Sequence, residues 1–135
     1  GNFGSPYLYS VVKRVVLVRQ EHSLRVMVPK VDYVSAAGTS GPRTPRPGGP
    51  AALITSRCVF RFDAERQGFE LQSVHDGNTL QDIRRETGFG FYFDGDEAPQ
   101  TPLATEQERE LLRTRVADAL APTYPGFANK LREAS

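Results

Sequence analysis

The sequence predicts an α/β fold that contains an antiparallel hairpin, and three stretches carry that prediction. Val15-Val16-Leu17-Val18 is a continuous apolar run rich in β-branched residues, the pattern of a strand buried on both faces as in a parallel sheet. Cys58, Phe60 and Phe62 alternate with Val59, Arg61 and Asp63, and Phe69 and Leu71 alternate with Glu70 and Gln72. Alternation on both sides of the polar turn at 63–68 reads as two half-buried strands folded back on each other. A capped helix follows, with Leu80 and Ile83 on its buried side.

The chain opens Gly1-Asn2-Phe3-Gly4-Ser5, without an initiator methionine. Gly1-x-x-x-Ser5 matches the myristoylation pattern, but no basic cluster follows to supply a second membrane signal, so acylation is not expected. Beyond the strand at 15–18 stands Arg19-Gln20-Glu21-His22-Ser23. Ligands of open α/β sheets bind outside the carboxyl ends of strands, which makes Glu21 and His22 the best-placed ionisable pair of the chain. They suit substrate orientation or acid–base work near neutral pH. A polar strand end bonded to neighbouring backbone fits the same residues.

Residues 24–28 and 31–34 read as two short strands, interrupted by Pro29, which lacks a ladder donor. Residues 37–50 are rich in Gly, Pro, Ser and Thr and carry Arg43 and Arg46; they read as a mobile surface loop, neither helix nor central strand. The next strand ends in Ile54-Thr55. His75-Asp76-Gly77-Asn78 breaks the sheet, with His75 as a turn residue. Thr79 caps the helix and Asp82, three residues on, returns the bond. Gly88 ends the helix where a left-handed residue is wanted. Phe89, Phe91 and Phe93 form the apolar face of a further strand.

Asp94-Gly95-Asp96-Glu97 is an acidic turn without the spacing of a calcium loop, so no metal site is expected. Residues 1–98 are read as the α/β segment and 99–135 as a linker, a helix and a tail. Thr105-x-x-Glu108 is a capping box, and the helix after it carries Leu112, Val116, Ala119 and Leu120 on one face. Pro122 stops it, and Tyr124 and Phe127 are the tail's candidates for docking.

At 135 residues the chain is one domain or part of one. Its net charge of +1 calls for neither nucleic acid nor an anionic membrane as partner. Arginine supplies 14 of the 17 basic residues, read as a coding bias rather than a phosphate-binding surface. The single cysteine, Cys58, cannot form an internal disulfide; on an apolar strand face it reads as a small core residue, in keeping with a reducing, cytoplasmic setting. No apolar run approaches the ~20 residues of a membrane span. Phosphate-loop, nucleophile-elbow and zinc-protease motifs are absent.

The order of these segments is more specific than any one of them. Ile54-Thr55, then Val59-Phe60-Arg61-Phe62-Asp63, Phe69-Glu70-Leu71, Gly77-Asn78-Thr79-Leu80-Gln81-Asp82-Ile83-Arg84 and Thr87-Gly88-Phe89 resemble, in succession, the C-terminal part of the β subunit of family I CoA-transferases. The glutaconate, 3-oxoacid and acetate CoA-transferases form this group. Upstream, Lys13-Arg14-Val15-Val16-Leu17-Val18, Glu21-His22-Ser23 and Lys30-Val31-Asp32-Tyr33-Val34 fit the same family in the same order. The resemblance covers roughly residues 11–93.

That resemblance implies an open, mostly parallel sheet with flanking helices, of which this chain supplies an incomplete second half that includes the antiparallel hairpin. A sheet cut in this way has an exposed edge and is expected to need the missing N-terminal half or an α subunit. The implied reaction moves CoA between an acyl-CoA and a carboxylic acid through a glutamyl-CoA thioester, with fixed donors at each oxyanion. Coenzyme A enters as a substrate moiety, and no cofactor is implied. The family's nucleophilic glutamate precedes a glycine-rich loop; no glutamate here matches it, so it is expected upstream of Gly1. Gly1, Asn2 and Gly4 would be the remains of that loop, their amides facing the thioester oxygen; a frayed terminus accounts for them equally well. Arg43 and Arg46 would lie near the CoA phosphates, or simply in a solvated loop. The chain is then a fragment, one of two polypeptides, or a relative that has lost transferase chemistry. Two other functions stay open: a CoA-thioester-dependent, ring-cleaving hydrolase on the same scaffold, and a non-catalytic scaffold subunit.

Overall fold

Among the described residues four strands build one sheet in the order β1-β2-β3-β4, where β1 is Arg14–Arg19, β2 Gly49–Thr55, β3 Cys58–Asp63 and β4 Gly68–Val74. The computed structural model describes residues 4–41 and 46–133, which fall into two compact units, Gly1–Thr101 and Pro102–Ser135. β1 and β2 pair in parallel, while β2/β3 and β3/β4 are antiparallel. The α/β class and the hairpin are as expected, and the parallel character rests on the β1/β2 pair. Helix α1 (Gly4–Val11) leads into β1, and helix α2 (Leu80–Glu86) follows β4.

One face of the sheet carries the core. Leu53, Cys58, Phe60 and Leu71 are buried there together with Leu80 and Ile83 of α2. Phe60 is its hub: the Phe91, Phe89 and Phe69 rings lie 5.2, 5.8 and 6.1 Å from it. The alternation of β3 therefore separates inside from outside as its letters predict. Thr79 caps α2: its hydroxyl accepts the Asp82 amide at 3.2 Å, and the Asp82 carboxylate accepts the Thr79 amide at 3.0 Å.

Several expectations are corrected. β1 is not buried on both faces. It is an edge strand, and Val16 and Val18 stay 49% and 73% exposed on the face that the described residues leave open. Gly49 and Pro50 belong to β2 rather than to the loop. Pro50 sits beside a bulge against β1 and ahead of the β3 pairing, which starts at Ala52, so the missing amide interrupts no β2/β3 bond. Residues 24–28 form a turn, not a strand, because the amides of Val26 and Met27 both donate to the Ser23 carbonyl, at 2.9 and 2.7 Å. Residues 31–34 form no strand either, and Val31, Tyr33 and Val34 are exposed. The aromatic stretch 89–93 packs on the core, but its strand shrinks to one parallel bridge between Tyr92 and Glu70.

Gly88 is not a left-handed cap. Thr87 ends α2 in extended geometry, and among the described residues the glycines with positive φ are Gly77 at 76° and Gly95 at 151°. In the β3–β4 turn the left-handed residue is Gln67, with φ 52°, rather than the glycine after it. Residues 99–101 lie along β4, where the Val74 amide donates to the Pro99 carbonyl at 2.9 Å and the Thr101 amide to the Val74 carbonyl at 2.7 Å.

The second unit holds α3 (Glu106–Leu111), a π turn (Leu112–Val116), α4 (Ala117–Leu120) and α5 (Pro125–Glu133). The Thr105–Glu108 capping box is present. The π turn inserts extra backbone and rotates the inward face. Ala117 is buried in consequence, whereas Leu112 and Ala119 are exposed. The tail forms α5, which the sequence reading did not anticipate; its Ala128 is buried, while Tyr124 and Phe127 remain exposed.

Candidate functional site

β1, β2 and β4 run in one direction, so Arg19, Thr55 and Val74 end on a common rim of the sheet. Arg19 pairs directly with Thr55. The segments leaving these ends are 20–23, 56–57 and 75–78, and they bring both histidines to the rim.

His22 turns inward and is only 4% exposed. Its Nδ1 lies 2.9 Å from Thr55 Oγ1 and its Nε2 lies 2.9 Å from Thr87 Oγ1. The ring stacks at 30° over Phe60, 6.3 Å between centroids. Burial, followed by the nearby Arg57 guanidinium, lowers its pKa against a smaller opposite pull from Glu86, so the ring is neutral at pH 7. Thr55 Oγ1 also accepts the amides of Arg57 and Cys58, both at 3.1 Å. The Cys58 thiol stands 3.5 Å from that oxygen, and burial pushes its pKa up to about 11. A protonated, buried thiol is a core group rather than a nucleophile.

His75 occupies the turn after β4, but its ring is not idle. Nε2 lies 3.0 Å from the Thr55 carbonyl, and Nδ1 lies 2.9 Å from Thr101 Oγ1, which is 2.7 Å from Ser73 Oγ. Across the rim, Arg57 donates to Asn78 Oδ1 at 3.4 Å.

Glu21 and His22 adjoin in sequence and part in space. The Glu21 carboxylate accepts from Ser23 Oγ at 2.9 Å and from Arg25 Nη2 at 3.0 Å, and these bonds, Arg25 first, hold its pKa down. Gly1 and Asn2 lie outside the described residues, as does Arg43. Gly4 is the exposed first residue of α1. Arg46 donates to the Ala37 and Tyr9 carbonyls, both at 2.7 Å, and its guanidinium lies 5.7 Å from the Tyr9 ring centroid. It is a staple for its loop.

Two cavities bear on the choice of site. One of about 480 Å³ lies at the opposite end of the sheet, between Gly38–Gly41, Arg46 and Phe62. Its arginine is engaged by backbone carbonyls. The other, about 220 Å³, adjoins the rim and is lined by Arg84, Thr87, Phe89, Gly90, Phe91 and Phe93. The rim combines ionisable groups, an adjoining cavity and the carboxyl ends of the strands, and is the better candidate. Among the described residues no three His, Cys, Asp or Glu side chains gather as a metal site. No helix among them is long and apolar enough to cross a membrane. Thr55, Thr87 and Thr101, which organise the rim, were not among the expected site residues. Thr55 and Thr87 stood only in the ordered segments Ile54-Thr55 and Thr87-Gly88-Phe89, and Thr55 also as the hydroxyl closing the apolar run Ala51-Ala52-Leu53-Ile54.

No protein-family model matches the chain. It is 30% identical over 128 residues to the B subunit of 3-oxoadipate CoA-transferase from Pseudomonas knackmussii, covering 90% of this chain and 48% of that one. Among solved structures, IpdAB of Rhodococcus jostii RHA1 superposes with a TM-score of 0.74 at 26% identity, over 84% of this chain and 47% of that one. Glutaconate coenzyme A-transferase of Acidaminococcus fermentans shares the fold, with a TM-score of 0.72 at 23% identity over 90% and 48%. The decarboxylase AibA/AibB follows at 0.63 and 27% identity, over 97% and 47%. The chain thus spans about half the length of the relatives it matches. It resembles part of a CoA-transferase β subunit, and the half-length coverage fits the C-terminal part that the motif order indicates.

Proposed function

We propose that this chain is the C-terminal portion of a CoA-transferase β subunit, and that the assembled enzyme moves CoA between an acyl-CoA and a carboxylic acid through a glutamyl-CoA thioester. The carrying observation is the 30% identity over 128 residues to the B subunit of 3-oxoadipate CoA-transferase. The attacking glutamate lies outside this chain. Glu21 is unsuited to that step, since a carboxylate already bonded to Ser23 and Arg25 is weakly basic and a poor nucleophile.

The chain's own share is to shape and polarise the site. The amides of Gly4 and Ser5 in the first turn of α1, where Pro6 has none, have no partners within the helix and are donors of the kind a thioester oxyanion needs. Glu21 marks the exposed rim and His22 its buried support. Coenzyme A is a substrate moiety, and the reaction needs no resident cofactor. The open face and edge of β1 fit a partner that completes the sheet, either the N-terminal half of the subunit or an α subunit. The setting is the cytoplasm, where Cys58 stays a thiol.

The test is acyl-CoA exchange by the assembled protein, read with intact mass after incubation with acyl-CoA alone. A CoA adduct on a glutamate, together with exchange, is expected. CoA binding without adduct or exchange would sink the transferase reading. The likeness to the decarboxylase AibA/AibB supports a second one, carbon–carbon cleavage of a CoA-linked substrate on this scaffold, of which the ring-cleaving hydrolase is a form. Cleavage product without exchange would establish it, and absence of any CoA binding would leave a scaffold subunit.

A further inference from the structure

We propose that Thr55 is the positioning residue of the strand-end site: its carbonyl fixes Nε2 of His75 as a donor and its hydroxyl fixes Nδ1 of His22 as an acceptor, so that two directed hydrogen-bond runs, one from Ser73 and one to Thr87, meet in this residue. The inference rests on reading the strand ends as the site.

A carbonyl oxygen only accepts. The Thr55 carbonyl, 3.0 Å from His75 Nε2, therefore takes its hydrogen bond from that nitrogen. In the singly protonated ring Nδ1 is then bare, and Thr101 Oγ1, 2.9 Å away, donates to it and accepts in turn from Ser73 Oγ at 2.7 Å. The hydroxyl of the same threonine settles the second ring. A hydroxyl offers two acceptor sites and one proton. Thr55 Oγ1 already accepts the Arg57 and Cys58 amides at 3.1 Å each. Only its proton is left for His22 Nδ1 at 2.9 Å, a nearer acceptor than the Cys58 carbonyl at 3.2 Å. His22 then carries its proton on Nε2 and donates to Thr87 Oγ1 at 2.9 Å.

Two rim groups depend on this arrangement. Glu21 immediately precedes the ring that fastens segment 20–23 to β2. Arg57 hangs from the Thr55 hydroxyl by its amide and reaches Asn78 in the turn that His75 fastens. The two halves of the device are separable, because Thr55→Val removes the hydroxyl and keeps the carbonyl.

The chain has two histidines, so NMR of the uniformly nitrogen-labelled full chain, in its assembled form near neutral pH, yields two histidine ring patterns beside the backbone amides. Both are expected to show a protonated Nε2 and a bare Nδ1. In Thr55→Val the His22 ring loses its single tautomer and spreads over two, His75 keeps its own, and the Glu21 and Arg57 amide resonances move. Thr55→Ser restores all three. A wild-type His22 ring protonated at Nδ1 would overturn the proposal, as would a folded Thr55→Val protein with His22 and both amides unmoved. If the valine variant does not fold, the wild-type spectrum decides. No turnover enters these readouts, so a failure to find CoA exchange falls on the functional reading alone.

Discussion

The amide of Gly88 donates to the carbonyl of Met27 at 2.6 Å, and a Cβ on Gly88 would stand 2.5 Å from that same oxygen. The glycine is required by close approach rather than by a left-handed backbone. The contact joins the end of α2 to segment 23–27, whose Met27 is a core residue. Gly88→Ala must push the two segments apart, and the Pro29 ring, 2.9 Å from the same Cβ, closes the other escape. Overpacking of this kind costs about 1–3 kcal/mol. Urea unfolding should show a lower midpoint at unchanged slope; an unshifted midpoint would mean that segment 23–29 yields freely.

What was legible in the sequence was what local chemistry decides. The alternation around Phe60 and Leu71 and the capping pairs Thr79–Asp82 and Thr105–Glu108 are set within a few residues, and all appear as read. What was illegible depends on distant partners. Val15 to Val18 spell the same strand whether or not a second layer covers them, and residues 24–34 hold apolar letters without a sheet edge to join. His22 faces inward because Thr55 and Thr87, 33 and 65 positions away, supply its two hydrogen bonds. A lone His beside a Glu carries no trace of that. Nor does a helical period announce a π turn, which is why Ala117 rather than Ala119 is buried.

The exposed face of β1 tests the incompleteness of the sheet. Val18 is 73% exposed, so Val18→Lys should change the stability of this chain alone by no more than about 0.5 kcal/mol. In the assembled protein the same lysine would be buried without a counter-charge. Light scattering should show loss of assembly by Val18→Lys under conditions where the wild type stays associated. If the variant assembles normally, or if residues 1–135 behave as a cooperative monomer with no tendency to associate, that face has no partner.

Cys58 should be a silent thiol. Its pKa is raised from 9.0 to about 11 by burial, so the thiolate is scarce in the folded protein where an unfolded chain would already ionise. A disulfide reagent should react slowly with the native protein and rapidly after denaturation. The shift also fixes a sign: the unfolded state loses this proton first, so its contribution to stability is complete below pH 9.0 and declines as pH rises toward 11. Fast native labelling near pH 8 would mean that the core around Thr55 opens readily.

His22 gives the opposite dependence. Its folded pKa lies below the ordinary 6.5, chiefly through burial and secondarily through Arg57. Above pH 6.5 the ring is neutral folded or unfolded, and its contribution to stability is whole. As pH falls below 6.5 the unfolded chain takes up the proton first, so stability drops until the folded pKa is passed and both states are charged. The physical event is the loss of Nδ1 as the acceptor for Thr55, together with a charge placed over Phe60. Denaturation midpoints between about pH 5 and about pH 8 should therefore slope downward on the acid side. His22→Gln, which still presents a donor and an acceptor, should flatten that part of the curve. An unchanged slope in the variant would place the acid sensitivity in the surface carboxylates, whose lowered pKa values at Asp63, Asp82 and Glu106 act at lower pH.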